Sequence, residues 1–379
     1  MFHKISQAMF SMLFIIMLII PLLATNLKED VISVEENRKL APMAELYNED
    51  GTLNTNFTSD FETWIDDNIG FRSELVAISK KIMYSIFDIL SGDRYVGPNG
   101  EFNYATPAMI ADYQHINLYS EEYLKEYADS LQYISNYVEN KGAQFYYCQC
   151  WDKHSIYPEY FPKTVLQYGD ISKTDAMMDA LEKYSTVNVI SLKQELIDEK
   201  ARYQTYSKWG DASHWSTRGA YIAYVRVMES LNANSRIQYK ILQENEYDLT
   251  KIDQGRVIKG VYVEDFVESF EIKKPQAILT NEKLTLDSED PRHRYYTNDN
   301  VDNNTRVLII GDSYFDSFII DDFAESFHET IMIWGDFCGD IQTIIDEYDA
   351  DIVIVEAAER VDRSSGIING ANAMKENTR

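Results

Sequence analysis

Arg306-Val307-Leu308-Ile309-Ile310-Gly311-Asp312-Ser313-Tyr314 is an apolar run that passes directly into a Gly-Asp-Ser turn. A strand apolar at every position is one buried on both faces, as in a parallel sheet covered by helices. A serine at the C-terminal edge of such a strand, at the entry to a helix, sits where open α/β sheets bind ligands. Its amide then points into the site with the positive end of the helix dipole, a setting suited to a developing oxyanion. Taken alone, Ser313 also fits a plain helix cap, because serine is a favoured capping residue.

The flanking sequence repeats the pattern. Thr330 to Trp334 and Asp351 to Glu356 read as further strands, with a helix over Ile341 to Tyr348 between them. Upstream, Ser120 opens a helix with apolar positions at Leu124, Tyr127, Leu131, Ile134 and Val138, ending at Gly142; Gln144 to Cys150 follows as a buried strand. A helix over Asp175 to Tyr184, a strand over Val187 to Leu192 and a long amphipathic helix over Thr217 to Leu231 continue the alternation. These elements predict a three-layer α/β/α domain with a mostly parallel sheet, spanning residues 91–379. Residues 232–304 are polar and interrupt the alternation, which marks them as an insertion or side layer. Tyr95 to Phe102, with Gly97-Pro98-Asn99-Gly100 at its turn, predicts a hairpin near the start of the domain.

A second motif gives Ser313 a use beyond capping. Trp209-Gly210-Asp211-Ala212-Ser213-His214-Trp215-Ser216 places a carboxylate three residues before a histidine, ahead of a capped helix. Serine is a poor nucleophile until a base accepts its proton, and the base needs a third group to fix its tautomer. Asp211 and His214 supply orienter and base on one turn.

The N-terminal sequence bears on location. Ala8 to Ala24 is apolar apart from Ser11 and Pro21, with Lys4 before it and Lys28, Glu29 and Asp30 after it. At 1.5 Å per residue the run reaches roughly 25 Å. It reads as a signal sequence or an anchor over residues 1–25; Leu22 makes a poor cleavage site before Ala24, which favours an uncleaved single-pass membrane anchor. The charge rule leaves Lys4 on the cytoplasmic side and the rest of the chain extracytoplasmic. Residues 26–90 form a stalk: Glu35-Glu36-Asn37-Arg38 and Pro42 read as extended, and Phe57 to Leu90 as two helices broken near Asn68-Ile69-Gly70.

Composition excludes other classes. With 62 acidic and 35 basic residues in 379, the formal charge of -27 opposes nucleic-acid phosphates. The cysteines, Cys148, Cys150 and Cys338, provide no disulfide framework and no zinc spacing. No metal or cofactor is called for. The 27 tyrosines and 17 phenylalanines suit a tyrosine-rich core, and suit carbohydrate stacking surfaces as well.

Gly311-Asp312-Ser313 together with Asp211-x-x-His214 resembles the SGNH hydrolase superfamily. The order, with Asp and His before Ser, is similar to the permuted proteins of alginate and exopolysaccharide O-acetylation (the AlgX and AlgJ type) and the related DHHW proteins. Glu36-Asn37-Arg38, Asp60 to Arg72, the Gly97 to Phe102 hairpin, Lys153 to Pro162 and Asp351 to Arg360 extend the likeness over most of the chain. The resemblance implies Ser313 as nucleophile, His214 as general base and acid, and Asp211 as orienter. It also implies transfer of an acetyl group to a polysaccharide outside the membrane, with a polytopic membrane O-acyltransferase supplying the acyl group. Two departures stand out. That family usually has one residue between Asp and His, whereas this chain has two, as ordinary esterases do; and Trp151 stands where a Pro usually precedes the lysine equivalent to Lys153.

Other positions are candidates for substrate or oxyanion contacts. Lys153 is either a substrate ligand or a surface lysine ending a strand, and Trp215 either walls the site or packs on the following helix. Tyr314 follows the nucleophile, and Asn298 precedes its strand in a Thr-Asn-Asp turn. Arg360 is a structural ion pair or an acyl or carboxylate ligand. Rival readings are an SGNH esterase of carbohydrate or lipid, which uses water as second nucleophile, and a non-catalytic polysaccharide-binding or assembly subunit.

Overall fold

The computed structural model describes residues 2–28, 32–33, 38–48, 50–91, 93–258, 260–286, 289–335 and 340–377. Residues 35–37 of the expected stalk and Cys338 lie outside these. The chain divides into two compact units, residues 1–91 and 92–379.

The first unit holds a helix over Phe2–Leu23 and two more over Phe57–Asn68 and Arg72–Phe87. The break between the latter pair falls at the expected place, where Phe71 takes a left-handed φ of 60°. The membrane anchor is not supported: among the described residues no helix is long and apolar enough to cross a membrane. The apolar part of the first helix, Ala8 to Leu23 with Pro21 inside it, is roughly 24 Å long at 1.5 Å per residue, short of the ~30 Å hydrocarbon core.

The second unit is built on a seven-stranded sheet. In chain order its strands are β1 (Gln144–Cys150), β2 (Asn188–Ser191), β3 (Ile278–Leu279), β4 (Arg294–Thr297), β5 (Arg306–Gly311), β6 (Glu329–Trp334) and β7 (Ile352–Ala358). Their order across the sheet is β3-β4-β6-β5-β7-β1-β2. Neighbours from β6 to β2 are parallel, while β3 and β4 add an antiparallel edge. The segment expected as a side layer therefore contributes two strands to the main sheet; its other strands pair as hairpins, Tyr247–Asp253 with Phe266–Ile272 and Arg256–Ile258 with Val261–Val263.

Alternation along each parallel strand divides the core between the two faces. Tyr146, Cys148, Val307, Ile309, Ile352 and Ile354 share one apolar cluster with helix Thr217–Asn234. Phe145, Tyr147, Leu308, Ile310, Val353 and Val355 share the other with helices Glu121–Asn140, Ile341–Tyr348 and Ser364–Asn377. The result is the SGNH-like α/β arrangement, with a mixed, mostly parallel sheet between helical layers. Cys148 and Cys150 are free thiols buried in the first cluster.

This topology places three loops side by side. β5, β7 and β1 are adjacent and parallel. The residues just past their C-terminal ends, Ser313, Glu359 with Arg360, and Asp152 with Lys153, consequently gather at one rim of the sheet.

Candidate active site

Ser313 begins a short helix, Ser313–Asp316, capped by the Asp312 carboxylate, which accepts from the Tyr314 amide at 3.2 Å. The other Asp312 oxygen accepts from Ala358 N–H of β7 at 3.1 Å, and the Asp312 amide donates to Glu356 Oε2 at 2.7 Å. These bonds tie the turn to the neighbouring strand. Gly311 is required here, because a Cβ would lie 2.5 Å from Glu356 Oε2. Glu356 is wholly buried, and burial, then the charge of Asp312, pushes its carboxyl well above the ordinary range.

Asp211 and His214 meet this turn from a loop. His214 Nδ1–H donates to Asp211 Oδ2 at 3.0 Å, and Nε2 lies 2.9 Å from Ser313 Oγ. A carboxylate can only accept, so Nδ1 carries the proton and Nε2 presents its lone pair to the hydroxyl. Asp211 Oδ1 also accepts from the amides of Ser213 and His214, each at 2.7 Å. Burial works to raise the Asp211 carboxyl, but the bonds from His214 and Ser213 outweigh it and hold it down at about 2. Aromatic rings flank the imidazole: Tyr314 at 5.0 Å and Phe318 at 5.5 Å between centroids.

The loop is fixed from three directions. Phe102 N–H donates to Lys208 O at 2.7 Å and Tyr104 N–H to Ala212 O at 3.2 Å, so the predicted hairpin, Arg94–Val96 with Phe102–Tyr104, lies along it. Lys153 Nζ donates to Asp211 O at 2.7 Å and Phe102 O at 2.6 Å. Asp265, from the segment between β2 and β4, accepts the amides of Lys208, Trp209 and Gly210 at 2.8 to 2.9 Å and the Ser207 hydroxyl at 2.6 Å. No motif marked Asp265.

Several candidate contacts stand differently from their sequence reading. Lys153 is neither on the surface nor open to substrate; it is fully buried, and burial lowers its amine to about 7 against the pull of Asp211, Asp265 and Glu101. Trp215 is buried and packs edge-on to Tyr314 at 4.6 Å rather than walling the site. Tyr314 is buried too, its hydroxyl donating to Asp152 Oδ1 at 2.7 Å. Asn298 directly follows Thr297, which pairs through Glu329 with Arg306 at the start of β5. It thus lies at the opposite edge of the sheet from Ser313, where its side chain donates to Ala324 O.

Arg360 is the further member. Its guanidinium pairs with buried Asp152, lies over the Tyr314 ring at 5.1 Å, and brings Nη2 to 2.6 Å from His214 Nε2. A guanidinium only donates, so Arg360 shares the Nε2 lone pair with Ser313. Of the two roles the sequence offered Arg360, the ion pair is present; the contact with His214 is one the sequence did not suggest.

Among the described residues, Asp112, His154 and Glu359 alone group with the spacing of metal ligands. They are buried, with His154 Nε2 3.7 Å from each carboxylate. Burial works to lower His154, but Glu359 and Asp112 overcome it and hold the imidazole up at about 9, so the ring itself supplies positive charge. Burial pushes Glu359 to about 7, so within this triad the interval above pH 7 belongs to His154. Unfolded histidine releases its proton near 6.5. The stabilisation is thus complete below that pH and is lost as pH rises through 9. Lys153, its amine held at about 7, contributes the opposite slope over the same interval, so the readout is the difference between two proteins. The stability of the wild type relative to His154→Gln should fall by about 1.4 kcal/mol per pH unit between pH ~7 and ~9 in denaturant titrations; a difference that does not change with pH would rule out this ion triad.

Residues 111–319 match the SGNH hydrolase-like domain of the acetyltransferase AlgX. The chain belongs to this family. Solved structures similar to the family member described here include Bacillus cereus PatB1 with a sulfonyl adduct (14% identity, TM-score 0.52), covering 71% of this chain and 94% of that one. Others are a DHHW family protein from Eubacterium siraeum (15% identity, TM-score 0.46, 74% and 96% covered) and the O-acetyltransferase domain of Pseudomonas putida AlgJ (14%, 0.43, 70% and 91%). No curated protein matches this chain by sequence. Membership makes the chain an SGNH-like enzyme of the acyl-transfer and esterase kind.

Proposed function

We propose that this protein is an extracytoplasmic O-acetyltransferase that acetylates a cell-surface or exported polysaccharide through an acyl-enzyme on Ser313. The observation that carries the proposal is the continuous hydrogen-bonded path from Asp211 through His214 to Ser313, at 3.0 and 2.9 Å, on the rim where β5 ends. Ser313 Oγ attacks the acetyl carbonyl while its proton passes to His214 Nε2, and the Ser313 amide at the helix N-terminus faces the oxyanion. Collapse expels the donor's leaving group, which takes the proton back from His214. A sugar hydroxyl then gives its proton to His214 and attacks the acetyl-serine; the second collapse releases the acetylated sugar and returns the proton to Ser313. Asp211 holds the tautomer and the imidazolium throughout.

The acyl donor in this reading is delivered by a polytopic membrane O-acyltransferase. The two-residue spacing between Asp211 and His214, shared with ordinary esterases, favours hydrolysis as the second reading, with water in place of the sugar. Purified protein given an activated acetyl ester separates them: acetylation that depends on added glycan supports transfer, and equal acetate release with and without glycan supports hydrolysis. If Ser313→Ala leaves cellular glycan acetylation unchanged, the protein is a binding or assembly subunit instead.

With no spanning helix among the described residues, the extracytoplasmic location rests on the likeness to the polysaccharide O-acetylation proteins. Protease added to intact cells or spheroplasts should degrade the chain beyond residue 30. A full-length protected chain in the cytosol would overturn the extracytoplasmic assignment.

A further inference from the structure

A cleft of about 420 Å³ runs from the Ser313 rim, which it meets at Phe318, toward Tyr296 and Ala324; its size is within the ~300–1,000 Å³ range of small-ligand sites. Phe318 belongs to both: its ring lines the cleft and packs 5.5 Å from the His214 ring. Thr217, three residues after His214, lines it as well. One wall is aromatic, with Tyr221 and Phe270 stacked at 5.0 Å and an interplanar angle of 21°. An aromatic surface with adjacent polar atoms suits the C–H groups of a pyranose.

The charge of the cleft is one-sided. Glu271, Asp321, Asp322 and Glu325 line it, and among its described lining residues there is no Lys or Arg. Neutral donors satisfy part of their capacity: Tyr296 O–H donates to Asp321 at 2.6 Å, Tyr247 O–H to Asp322 at 2.8 Å, and the amides of Gln276 and Ala277 to Glu325 at 2.7 and 2.9 Å. None of these donors cancels a charge. Arg218, stacked on Phe270, is taken by Glu244 and Glu268, and Arg294 by Asp316. Burial, then Asp321 and Glu325, pushes the Asp322 carboxyl up to about 7. A cation entering the cleft relieves this repulsion, whereas a uronate adds to it. The net charge of -27 acts in the same direction at longer range.

Taking the transferase reading as its basis, we infer that this cleft is the acceptor subsite and that the sugar it takes is an amino sugar with a free ammonium group, not a uronate. The sugar's C–H groups pack against the aromatic wall, the ammonium faces the carboxylates, and a hydroxyl of the same or the adjoining sugar extends past Phe318 toward His214.

Calorimetry with the Ser313→Ala protein tests this without turnover. The probes are a glucosamine oligosaccharide, its N-acetylated counterpart and an oligouronate of equal length, at low salt and at a pH where the amine is protonated. The glucosamine oligomer should bind at least about tenfold tighter than either other probe, a difference of about 1.4 kcal/mol. Asp321→Asn with Glu271→Gln, both at exposed positions, should narrow that preference to about threefold or less by weakening the glucosamine oligomer more than the N-acetylated one. Equal or tighter binding of the N-acetylated oligomer or the oligouronate, or no binding of any probe, overturns the assignment. Acceptor-dependent acetylation by the wild-type protein is read separately. Its absence alongside selective binding would count against the transferase reading alone, and its presence without such selectivity against the subsite alone.

Discussion

Ser313→Ala and His214→Ala should each reduce kcat on an activated acetyl ester by about 10⁴- to 10⁶-fold, and the double variant should be scarcely slower than either single one. Non-additivity is expected because in the proposed mechanism the two side chains perform one act: Oγ becomes nucleophilic only as Nε2, 2.9 Å away, accepts its proton. Once either is missing, the other has nothing to exchange with. Asp211→Asn should cost about 10⁴-fold. An amide at this position can donate toward Nδ1, which drives the proton to Nε2 and turns the lone pair away from Ser313. The loop should keep its shape, since the remaining carbonyl oxygen can still accept the Ser213 and His214 amides. Losses that multiply in the double variant, or wild-type turnover by Ser313→Ala, would remove serine catalysis from consideration.

The second large effect is expected at Arg360. With Nη2 2.6 Å from His214 Nε2, it is a fixed positive charge beside the reacting atoms. When Nε2 takes up the Ser313 proton it can no longer accept from Arg360, and the freed guanidinium donor is then available to the oxyanion forming on the acetyl group. Arg360→Ala should therefore lower kcat by about 10²- to 10³-fold. It should also cost about 3–5 kcal/mol of stability, because the Asp152 carboxylate stays buried without its cation. Asp152→Asn combined with Arg360→Ala separates the two effects. The pair removes the unpaired charge, so stability should largely return while kcat stays low. If turnover recovers together with stability, Arg360 is structural and has no part in the chemistry.

The legible part of this protein is what local pattern can express. Val307 to Ile310 are apolar on both faces because helices cover both, and such a strand announces itself without alternation. Asp211 and His214 share one turn, so their pairing shows as spacing. Asp265 was silent, because its bonds go to amides some 55 residues away, and amides carry no sequence label. Lys153 misled for a related reason: lysine reads as surface, and its burial depends on carbonyl oxygens of the hairpin and of the Asp211 loop. Strands β3 and β4, at the antiparallel side of the sheet, are short and have no clear period. Helix Ser364–Asn377, rich in Ser, Gly and Asn, has weak intrinsic propensity and forms where Ile367, Ile368, Ala371 and Met374 bury themselves in the core.

The order of strands across the sheet also sets a timetable for the growing chain. β1 and β2 are made first, and β5 and β6 are made more than a hundred residues later. The strand that joins the two halves, β7, is synthesised last, with Ile352 pairing against Gln144 on one side and Val307 on the other. Until it is inserted, β1 keeps an open edge able to pair with another chain, and the loop closure that ends this state spans most of the domain. A chain stopped before residue 350 would hold Asp211, His214 and Ser313 and still have no site, because the sheet that sets them against each other would be in two pieces.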